Sequence, residues 1–347
     1  MKNHGGSRTS DYDYELPADR IAQSPASPRD SSRMLVLLRA SGAIEHRVFS
    51  DIVDYMAAGD ALVVNATRVF RARLLGQRES GAHAEIFLIK ELGENRFEAL
   101  VHPGGKLHAG RRVRVGSDLS VLIESVTERR TRIVKLETSN DMWDAIERHG
   151  HVPLPPYIRR PDEERDAAQY QTVFARERGS VAAPTAGLHF TPALLRELAR
   201  KGVHVEELVL HVGAGTFKPV SEEDPALHKM HEEWYSITER TAAALRDVKS
   251  KGGTIAAVGT TMLRALESNC ASHEQIQADA AETRLFVRPP FEFKVVDRLL
   301  TNFHLPRSTL LMLVAAFAGY ELTMRAYREA IEGGYRFYSY GDAMLIL

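Results

Sequence analysis

The feature that most constrains this chain is the stretch of residues 179–220, in which two glycine-containing turns enclose one helix and one strand. A Thr-Pro pair followed by leucines at helical spacing predicts a helix over residues 192–201, and the apolar run after it predicts a buried strand over residues 203–210. Strands of this kind belong to α/β sheets, which tend to bind ligands at the carboxyl ends of their strands. His211 and Thr216 follow that end and are therefore candidate site residues.

A second strand, turn and helix lies at residues 254–268, with Gly259, Thr260 and Thr261 at the turn. Small residues at a helix N-terminus let free backbone N–H groups approach an anion, so this turn is predicted to hold a carboxylate or a phosphate. The Gly-Ala-Gly-Thr turn at residues 213–216 lacks the third glycine of a dinucleotide-binding fingerprint, so no Rossmann nucleotide site is predicted.

Short β-type runs fill residues 71–134 and are separated by turn residues at intervals of about ten residues. That spacing indicates a small barrel or sandwich inserted into an α/β sequence. We therefore expect an α/β fold, with a larger discontinuous α/β domain from residues 1–68 and 152–347 and an inserted small β-barrel-like domain at residues 69–151. The polar residues 1–10 are expected to be disordered.

Composition narrows the class of protein. A chain of 347 residues with 44% hydrophobic content can bury a large core, and its net charge of -1 gives no overall attraction to nucleic acid. The single cysteine, Cys270, excludes an intramolecular disulfide and a metal site with several thiolates. Neither a long apolar run nor an apolar signal core occurs, which predicts a cytoplasmic protein with no membrane partner.

Arginines cluster at three places within and after the β-rich segment. Alternation along a strand would place several of them on one face of the inserted sheet, where they could contact phosphate oxygens. The alternative is a solvated strand face on which nearby glutamates balance the charge. The clusters are Arg111, Arg112 and Arg114; Arg129, Arg130 and Arg132; and Arg159 and Arg160.

The segment HKMHEE, residues 228–233, combines two histidines with carboxylates. Spaced three apart, His228 and His231 could lie on one face of a helix and bind a metal, with His211 or His189 as a third ligand. The order differs from the zinc-protease helix, in which four positions separate the histidines. Hydrogen bonding or acid–base work is therefore favoured over metal binding, and no metal is expected.

Several long strings in the chain resemble one known family and follow the family's order from about residue 14 to residue 347. They are YELP, GSVAAPTAGLHFT, HVGAGTFKPV, HKMHEE, AVGTT with Arg264 and LES, TNFHLPRSTLLMLV and YRFYSYGDAMLIL. These strings are similar to the S-adenosylmethionine:tRNA ribosyltransferase-isomerase family of queuosine biosynthesis. The chain departs from the family pattern at Ala66, where Asp is usual, at Pro290, where Gly is usual, and at His83, which interrupts a usually small, glycine-rich hairpin.

The resemblance implies a reaction and its partners. Members of that family attach the ribosyl part of S-adenosylmethionine to 7-aminomethyl-7-deazaguanine at the wobble position of a tRNA. The sugar is isomerised to an epoxycyclopentanediol, giving epoxyqueuosine-tRNA, while adenine and methionine leave. S-adenosylmethionine is then a consumed substrate and the tRNA is the partner; no cofactor is expected, and a monomer is favoured.

Such a reaction sets chemical requirements. The sulfonium makes the adjacent ribose carbon acidic, so a base must take its proton, and adenine leaves more easily when a nearby acid protonates its ring. The methionine carboxylate needs an arginine or a helix N-terminus, and the ribose hydroxyls need carboxylates or amides. We expect catalytic roles for His211, Glu232, His304 and Asp342; substrate contacts from Asn65, Thr67, Arg68, His189, Thr216, His231, Thr260, Thr261, Arg264 and Asn302; and tRNA contacts from Arg111, Arg112, Arg114, Arg159 and Arg160.

Two functions of other classes stay open at this point. A tRNA-binding homologue with weakened catalysis, suggested by the arginine strands and Ala66, would bind tRNA without releasing adenine. A metal-dependent hydrolase built on the histidines would contain stoichiometric zinc or manganese and would be inhibited by a chelator.

Overall fold

Two main β-sheets organise the chain in the computed structural model, which describes residues 5–213 and 219–347. The strands are β1 (Arg33–Leu38), β2 (Ala43–Val48), β3 (Ala61–Asn65), β4 (Thr67–Val69), β5 (Arg73–Arg78), β6 (His83–Gly93), β7 (Arg96–His102), β8 (Arg112–Arg114), β9 (Leu119–Val126), β10 (Arg132–Thr138), β11 (Gly150–His151), β12 (Glu177–Ser180), β13 (His204–Leu210), β14 (Glu233–Ile237), β15 (Ile255–Val258), β16 (Asp279–Thr283), β17 (Arg298–Asn302) and β18 (Ala343–Ile346). The α-helices are α1 (Met142–His149), α2 (Asp166–Gln169), α3 (Pro192–Arg200), α4 (Glu239–Ser250), α5 (Thr260–His273), α6 (Thr309–Ala318) and α7 (Tyr320–Glu332).

The larger sheet is built from both ends of the chain. Within the described residues it has nine strands in the order β16-β14-β13-β3-β15-β17-β18-β1-β2. The central strands β13, β3, β15 and β17 are parallel, so their carboxyl ends meet at one edge, which we call the carboxyl edge. The first and last strands, β1 and β18, pair in parallel beside them. The predicted discontinuous α/β fold is therefore confirmed.

Both faces of the larger sheet are covered, which explains the continuous apolar runs in its central strands. Every residue of β3 is buried, and alternate residues enter different cores. Val63 belongs to the core formed with α4, α5 and α6, whereas Leu62 and Val64 belong to the core formed with α3 and the 3-10 helix Phe49–Tyr55. The sheet therefore holds its loops on a rigid, fully packed base.

The most apolar helix, α6, is a core helix of the larger sheet. Its N-cap is Ser308, whose hydroxyl accepts the Leu311 N–H at 3.2 Å. Among the residues that the structure describes, no single helix is long and apolar enough to cross a membrane. Helices α6 and α7 reach that length only as a pair, and the pair is bent by 115°.

The second sheet closes into a small barrel. In the described part of the chain its strands follow the order β11-β5-β6-β7-β10-β9-β8, and β8 pairs back with β5, so six strands form a ring. Alternate residues of β9 and β10 are buried inside, as a period-two sequence pattern requires. The predicted barrel is therefore confirmed, while its limits at residues 69 and 151 stay a prediction.

Residues near the amino terminus pack against the body of the protein. Thr9 is fully buried, and its N–H donates to the Glu223 carbonyl at 2.9 Å. The Gly6 carbonyl accepts a hydrogen bond from the Tyr12 hydroxyl at 2.8 Å. The expectation of disorder over all of residues 1–10 is thus wrong for Gly6 and Thr9. Thr9 is held by a contact with residues more than two hundred positions away. Local composition carries no information about such a contact.

Candidate active site

A cavity of about 60 Å³ lies at the carboxyl edge of the larger sheet. Its walls are the loop after β12, the N-terminus of α5, the end of β17 and residues 338–339. The predicted site residues that line it are Thr260, Thr261, Asn302 and His304. Polar lining residues that the sequence reasoning did not select are Thr185, Thr301 and Ser339. The fold thus brings part of the predicted site to one place.

The N-terminus of α5 borders this cavity. Gly259 precedes the helix with a φ of 97°, which residues with a Cβ rarely adopt, and no side chain caps the first N–H groups. The Oγ1 atom of Thr261 is buried and has no hydrogen-bond partner among the described residues. Uncapped N–H groups beside a free hydroxyl are suited to binding a carboxylate.

Asn302 is held by a row of buried polar side chains. Its Nδ2 donates to the Tyr338 carbonyl and to Nε2 of His189, both at 3.2 Å. Because Nε2 accepts, Nδ1 of His189 carries the ring proton and donates to Ser32 Oγ at 2.8 Å. Burial lowers the pKa of His189 to about 3, so this ring is neutral near pH 7. Asn302 Oδ1 is buried without a partner among the described residues and can accept a hydrogen bond from a ligand.

His304 lines the cavity as a neutral imidazole. Its Nε2 lies 2.7 Å from Oγ1 of Thr301. Two tyrosines fix its backbone, since the His304 N–H donates to the Tyr327 hydroxyl at 2.9 Å and the Tyr14 hydroxyl donates to the His304 carbonyl. Burial lowers the pKa of His304 to about 3. The ring can therefore form hydrogen bonds with a ligand but is uncharged at neutral pH.

A second polar cluster begins at Asn65, the last residue of β3. Its Oδ1 accepts the N–H groups of Thr67 at 3.0 Å and Leu210 at 3.1 Å, and its Nδ2 donates to the Leu210 carbonyl at 2.9 Å. Ala66 is buried in the same bend, and its N–H donates to the Leu208 carbonyl at 2.9 Å. Asn65 therefore joins the carboxyl ends of β3 and β13 through backbone groups.

His211 completes this second cluster. The Thr67 hydroxyl donates its single proton to Ser180 Oγ at 2.8 Å, so it accepts from His211 Nδ1, which lies 2.9 Å away. Nε2 of His211 is then unprotonated, and burial lowers the pKa of the ring below its ordinary value. The ring stacks on Trp234 with centroids 5.1 Å apart. A Cβ at Gly179 would lie 2.4 Å from the same ring, so only glycine fits there.

The backbone joins the two clusters directly. Ser180 Oγ accepts the Val212 N–H at 2.8 Å, and the Val181 N–H donates to the Val212 carbonyl at 3.2 Å. Val212 and Ala182 both line the cavity. His211 directly precedes Val212, and Ser180 lies two residues before Ala182, so both are close to the cavity wall.

Asp342 lies outside the cavity lining and is buried. Its Oδ1 accepts the Arg33 N–H at 3.0 Å, and its Oδ2 accepts the Arg336 N–H at 2.8 Å. Both oxygens thus bind backbone groups. Three further predicted residues, Arg68, His231 and Glu232, are exposed, and Thr216 lies outside the described residues.

Arg264 is buried in an ion pair with Glu233, a residue that the sequence reasoning did not select. The Arg264 Nε also donates to the Leu285 carbonyl at 2.9 Å. One guanidinium nitrogen is left buried without a partner in the described part of the chain. Alternation with the buried residues Tyr235 and Ile237 was the sequence signal that could have identified Glu233.

The predicted tRNA-binding arginines differ in how far they are neutralised. Arg112 pairs with Glu137 at 3.0 Å, Arg111 lies 3.5 Å from Glu79, and Arg160 binds the buried Asp166 through two hydrogen bonds. For Arg114 and Arg159, which are exposed, the described residues provide no ion pair. The third cluster is divided, because Arg129 and Arg130 are exposed while Arg132 is buried against backbone carbonyls.

The HKMHEE segment is not helical. Residues 228–232 are irregular and lead into β14, and His228 Nδ1 lies 3.2 Å from a Glu222 carboxylate oxygen. Over the described ranges 5–213 and 219–347, no group of three or more His, Cys, Asp or Glu side chains could hold a metal ion.

The fold and the cavity define an α/β enzyme with an inserted barrel. A family model described as queuosine biosynthesis protein matches residues 9–346, and the chain belongs to that family.

Relatives of known name match the chain over nearly its full length. The S-adenosylmethionine:tRNA ribosyltransferase-isomerase of Thermotoga petrophila is 51% identical over 340 residues, covering 98% of this chain and 100% of the relative. That of Syntrophomonas wolfei is 52% identical over 349 residues, covering 100% of this chain and 99% of the relative. The crystal structure of S-adenosylmethionine tRNA ribosyltransferase from Thermotoga maritima is 43% identical with a TM-score of 0.58, covering 97% of this chain and 100% of that chain.

Proposed function

We propose that the protein transfers and isomerises the ribosyl part of S-adenosylmethionine onto 7-aminomethyl-7-deazaguanine at the wobble position of tRNA. Epoxyqueuosine-tRNA is formed, and adenine and methionine are released. The strongest support is that relatives named S-adenosylmethionine:tRNA ribosyltransferase-isomerase match the chain end to end at 51% and 52% identity. Residues from several of the matching strings also meet at one cavity.

His211 is the base in this proposal. It removes the proton from the ribose carbon beside the sulfonium, and this requires a neutral imidazole with an available lone pair. Burial supplies the first condition, and the Thr67 hydroxyl supplies the second because it accepts the Nδ1–H and leaves Nε2 unprotonated. When Nε2 takes the proton, the resulting imidazolium still donates through Nδ1 to Thr67.

The cavity supplies contacts for the rest of S-adenosylmethionine. The uncapped N–H groups of α5 at Thr260 and Thr261 bind the methionine carboxylate. Asn302 Oδ1 accepts from a ribose hydroxyl, and His189 keeps the Asn302 amide in that orientation. His304 forms a hydrogen bond to the departing adenine and, with a pKa of about 3, does so as a neutral ring.

The remaining predicted residues take supporting roles. Asp342 positions the backbone at Arg33 and Arg336, and Arg264 positions β14 through Glu233. Asn65 fixes the strand ends beside the base. The exposed Arg68, His231 and Glu232 are proposed to contact the tRNA-bound substrate. The exposed Arg111, Arg112, Arg114 and Arg159 and the half-buried Arg160 are proposed to contact the tRNA backbone.

No cofactor is needed in this proposal, because the sulfonium itself supplies both the acidic carbon and the leaving group. A cytoplasmic location follows from the substrate, since tRNA resides there. A metal-dependent hydrolase is not favoured, because the HKMHEE histidines do not share a helix face. A binding protein without catalysis is not favoured either, because the relatives that match at full length carry the name of the enzyme.

The test is adenine release from S-adenosylmethionine, measured by chromatography with tRNA that carries 7-aminomethyl-7-deazaguanine and with the same tRNA carrying guanine. We expect release only with the modified tRNA, and that result would also show that Ala66 is compatible with catalysis. Intact tRNA binding without adenine release would contradict the proposal, and Ala66→Asp would then be the first variant to assay.

A further inference from the structure

A groove separates the barrel from the lateral edge of the larger sheet, where β16 is the outermost strand. It has a volume of about 560 Å³ and is lined by Arg129, Lys229, Met230, His231, Glu232 and Arg284. Arg129 comes from the turn between β9 and β10 of the barrel, whereas the other residues flank the edge strand β16 and its neighbour β14. The groove is therefore shared by both parts of the molecule.

The exposed Trp234 faces the same side of the sheet edge. It alternates with the buried residues Glu233 and Tyr235, so its side chain points away from the core. In the antiparallel pair of β14 and β16 it lies opposite Glu282, which forms an ion pair at 3.0 Å with Lys90 of the barrel. This register places Trp234 on the side of the sheet that faces the barrel and its groove.

Trp234 is also next to the proposed base. One part of its indole stacks on the His211 ring at an interplanar angle of 22°, and the residue remains 38% exposed. The exposed part of the indole provides a flat surface on which any nucleobase can stack.

The charge of the groove is mainly positive. Arg284 is neutralised by Glu232, the only carboxylate among the groove-lining residues given above. Arg129 and Lys229 are exposed, and the described residues contain no ion-pair partner for either. In contrast, Arg111, Arg112 and Arg160 are each paired with a carboxylate. Arg129 and Lys229 are therefore better placed to bind phosphate.

We propose that Trp234 and this groove bind the single-stranded part of the tRNA anticodon loop. An unpaired base next to the reacting nucleotide stacks on Trp234, and Arg129 and Lys229 contact the adjoining backbone phosphates. Unstacked bases on aromatic side chains beside cationic grooves are the usual form of single-stranded RNA recognition. The inference rests on the proposed function, because it names the surface that presents the tRNA to the cavity.

The first experiment uses Trp234 as its own reporter. The chain has two tryptophans, so Trp143→Phe leaves Trp234 as the single tryptophan, whose fluorescence is excited selectively over that of the tyrosines. An anticodon stem-loop RNA should quench its fluorescence in a saturable way, and a blunt RNA duplex of equal length should not. Absence of quenching at RNA concentrations that saturate binding by anisotropy would overturn the role of Trp234.

Affinity measurements then separate stacking from charge. Trp234→Ala should weaken binding of a labelled stem-loop about tenfold, while Trp234→Phe keeps most of the affinity and controls for folding. Arg129→Ala and Lys229→Ala should each make the plot of log affinity against log salt concentration less steep, by roughly 0.7 in slope. Arg328→Ala, an exposed arginine on α7 near the opposite edge of the sheet, is the matched control and should change nothing.

These assays need no S-adenosylmethionine, so they fail or succeed independently of catalysis. Unchanged affinity in both Trp234→Ala and the Arg129→Ala, Lys229→Ala double variant would overturn the proposed surface, even if the wild-type enzyme releases adenine. If the wild type releases no adenine, while stem-loop binding depends on Trp234, the proposed reaction would be contradicted and the proposed surface would stand.

Discussion

At the carboxyl edge of the larger sheet, polar side chains are buried and bonded to one another, whereas on the barrel surface Arg111 and Arg112 are exposed and paired with glutamates. Asn302 Oδ1 and Thr261 Oγ1 are buried with no partner among the described residues, while Arg112 on the barrel has Glu137. A buried unpaired polar atom costs roughly 1–3 kcal/mol unless a ligand satisfies it, and an exposed ion pair contributes little. The difference indicates that the carboxyl edge is built to enclose a ligand.

The largest effect that this comparison predicts is the loss of catalysis when the proposed base at the carboxyl edge is removed. His211→Ala should lower kcat about 10²–10⁴-fold, because it removes the proposed base. Thr67→Val should lower kcat less, since it removes the acceptor that sets the tautomer and the hydrogen bond to Ser180 but keeps the base, and KM for S-adenosylmethionine should change little. Steady-state adenine release measures both variants. Turnover of His211→Ala within a few-fold of wild type would show that the base lies elsewhere.

The next effect concerns the two kinds of ion pair. Glu233→Gln leaves the buried Arg264 charge uncompensated and should lower the free energy of unfolding by roughly 3–5 kcal/mol. Glu137→Gln breaks the exposed pair with Arg112 and should cause no measurable loss, which makes it the matched control. Urea unfolding followed by circular dichroism compares them. Equal losses for both variants would remove the distinction between the edge and the barrel.

A smaller effect is expected on stability at acid pH. His189 has a pKa of about 3 when folded and an ordinary value of 6.5, so between these values the unfolded chain binds the extra proton. The contribution of His189 to the free energy of unfolding is fully present above pH 6.5. It decreases as the pH drops toward 3, by up to about 1.4 kcal/mol per pH unit.

His189→Gln provides the control for this prediction. The free energy of unfolding, measured in urea from pH 7 to pH 4, should depend less steeply on pH in the variant than in the wild type. The same slope in both proteins would mean that His189 does not contribute to the acid sensitivity.

The smallest effect is expected on the outer face of β8. Arg112→Ala should weaken tRNA binding less than about twofold, because Glu137 already neutralises Arg112, and Arg114→Ala should weaken it more. Filter binding at two salt concentrations measures the difference. A larger loss from Arg112→Ala would show that tRNA displaces Glu137 and that the barrel is a main binding surface.

Local patterns predicted most of the secondary structure. The helix expected over residues 192–201 is α3, Pro192–Arg200, because its cap and its leucine spacing are properties of the local sequence. The apolar residues of segment 283–287 would suggest a strand there, whereas the structure has β16 at Asp279–Thr283. That strand is polar and lies at a sheet edge, so its position is set by pairing with β14, which lies far away in sequence.

The site was only partly predictable for a related reason. Thr260, Thr261, Asn302 and His304 stand in turns after strands, and parallel strands bring such turns together. The expected site residues include Glu232 and not its neighbour Glu233, although Glu233 is the buried residue of the pair. A carboxylate is rarely buried without a partner, and nothing in the local sequence identifies Arg264, thirty-one positions later, as that partner. The residues missed are those whose roles depend on long-range contacts.

The position of β18 has a consequence for synthesis of the protein on the ribosome. This strand lies inside the larger sheet, between β17 and β1, although it follows all the other described strands in sequence. The barrel strands β5 to β11 are contiguous in sequence and can assemble while translation continues, because domains generally fold as units as they emerge. In contrast, β1 must wait until β18 is made before its parallel neighbour exists, so its apolar residues stay open to chaperones during that time.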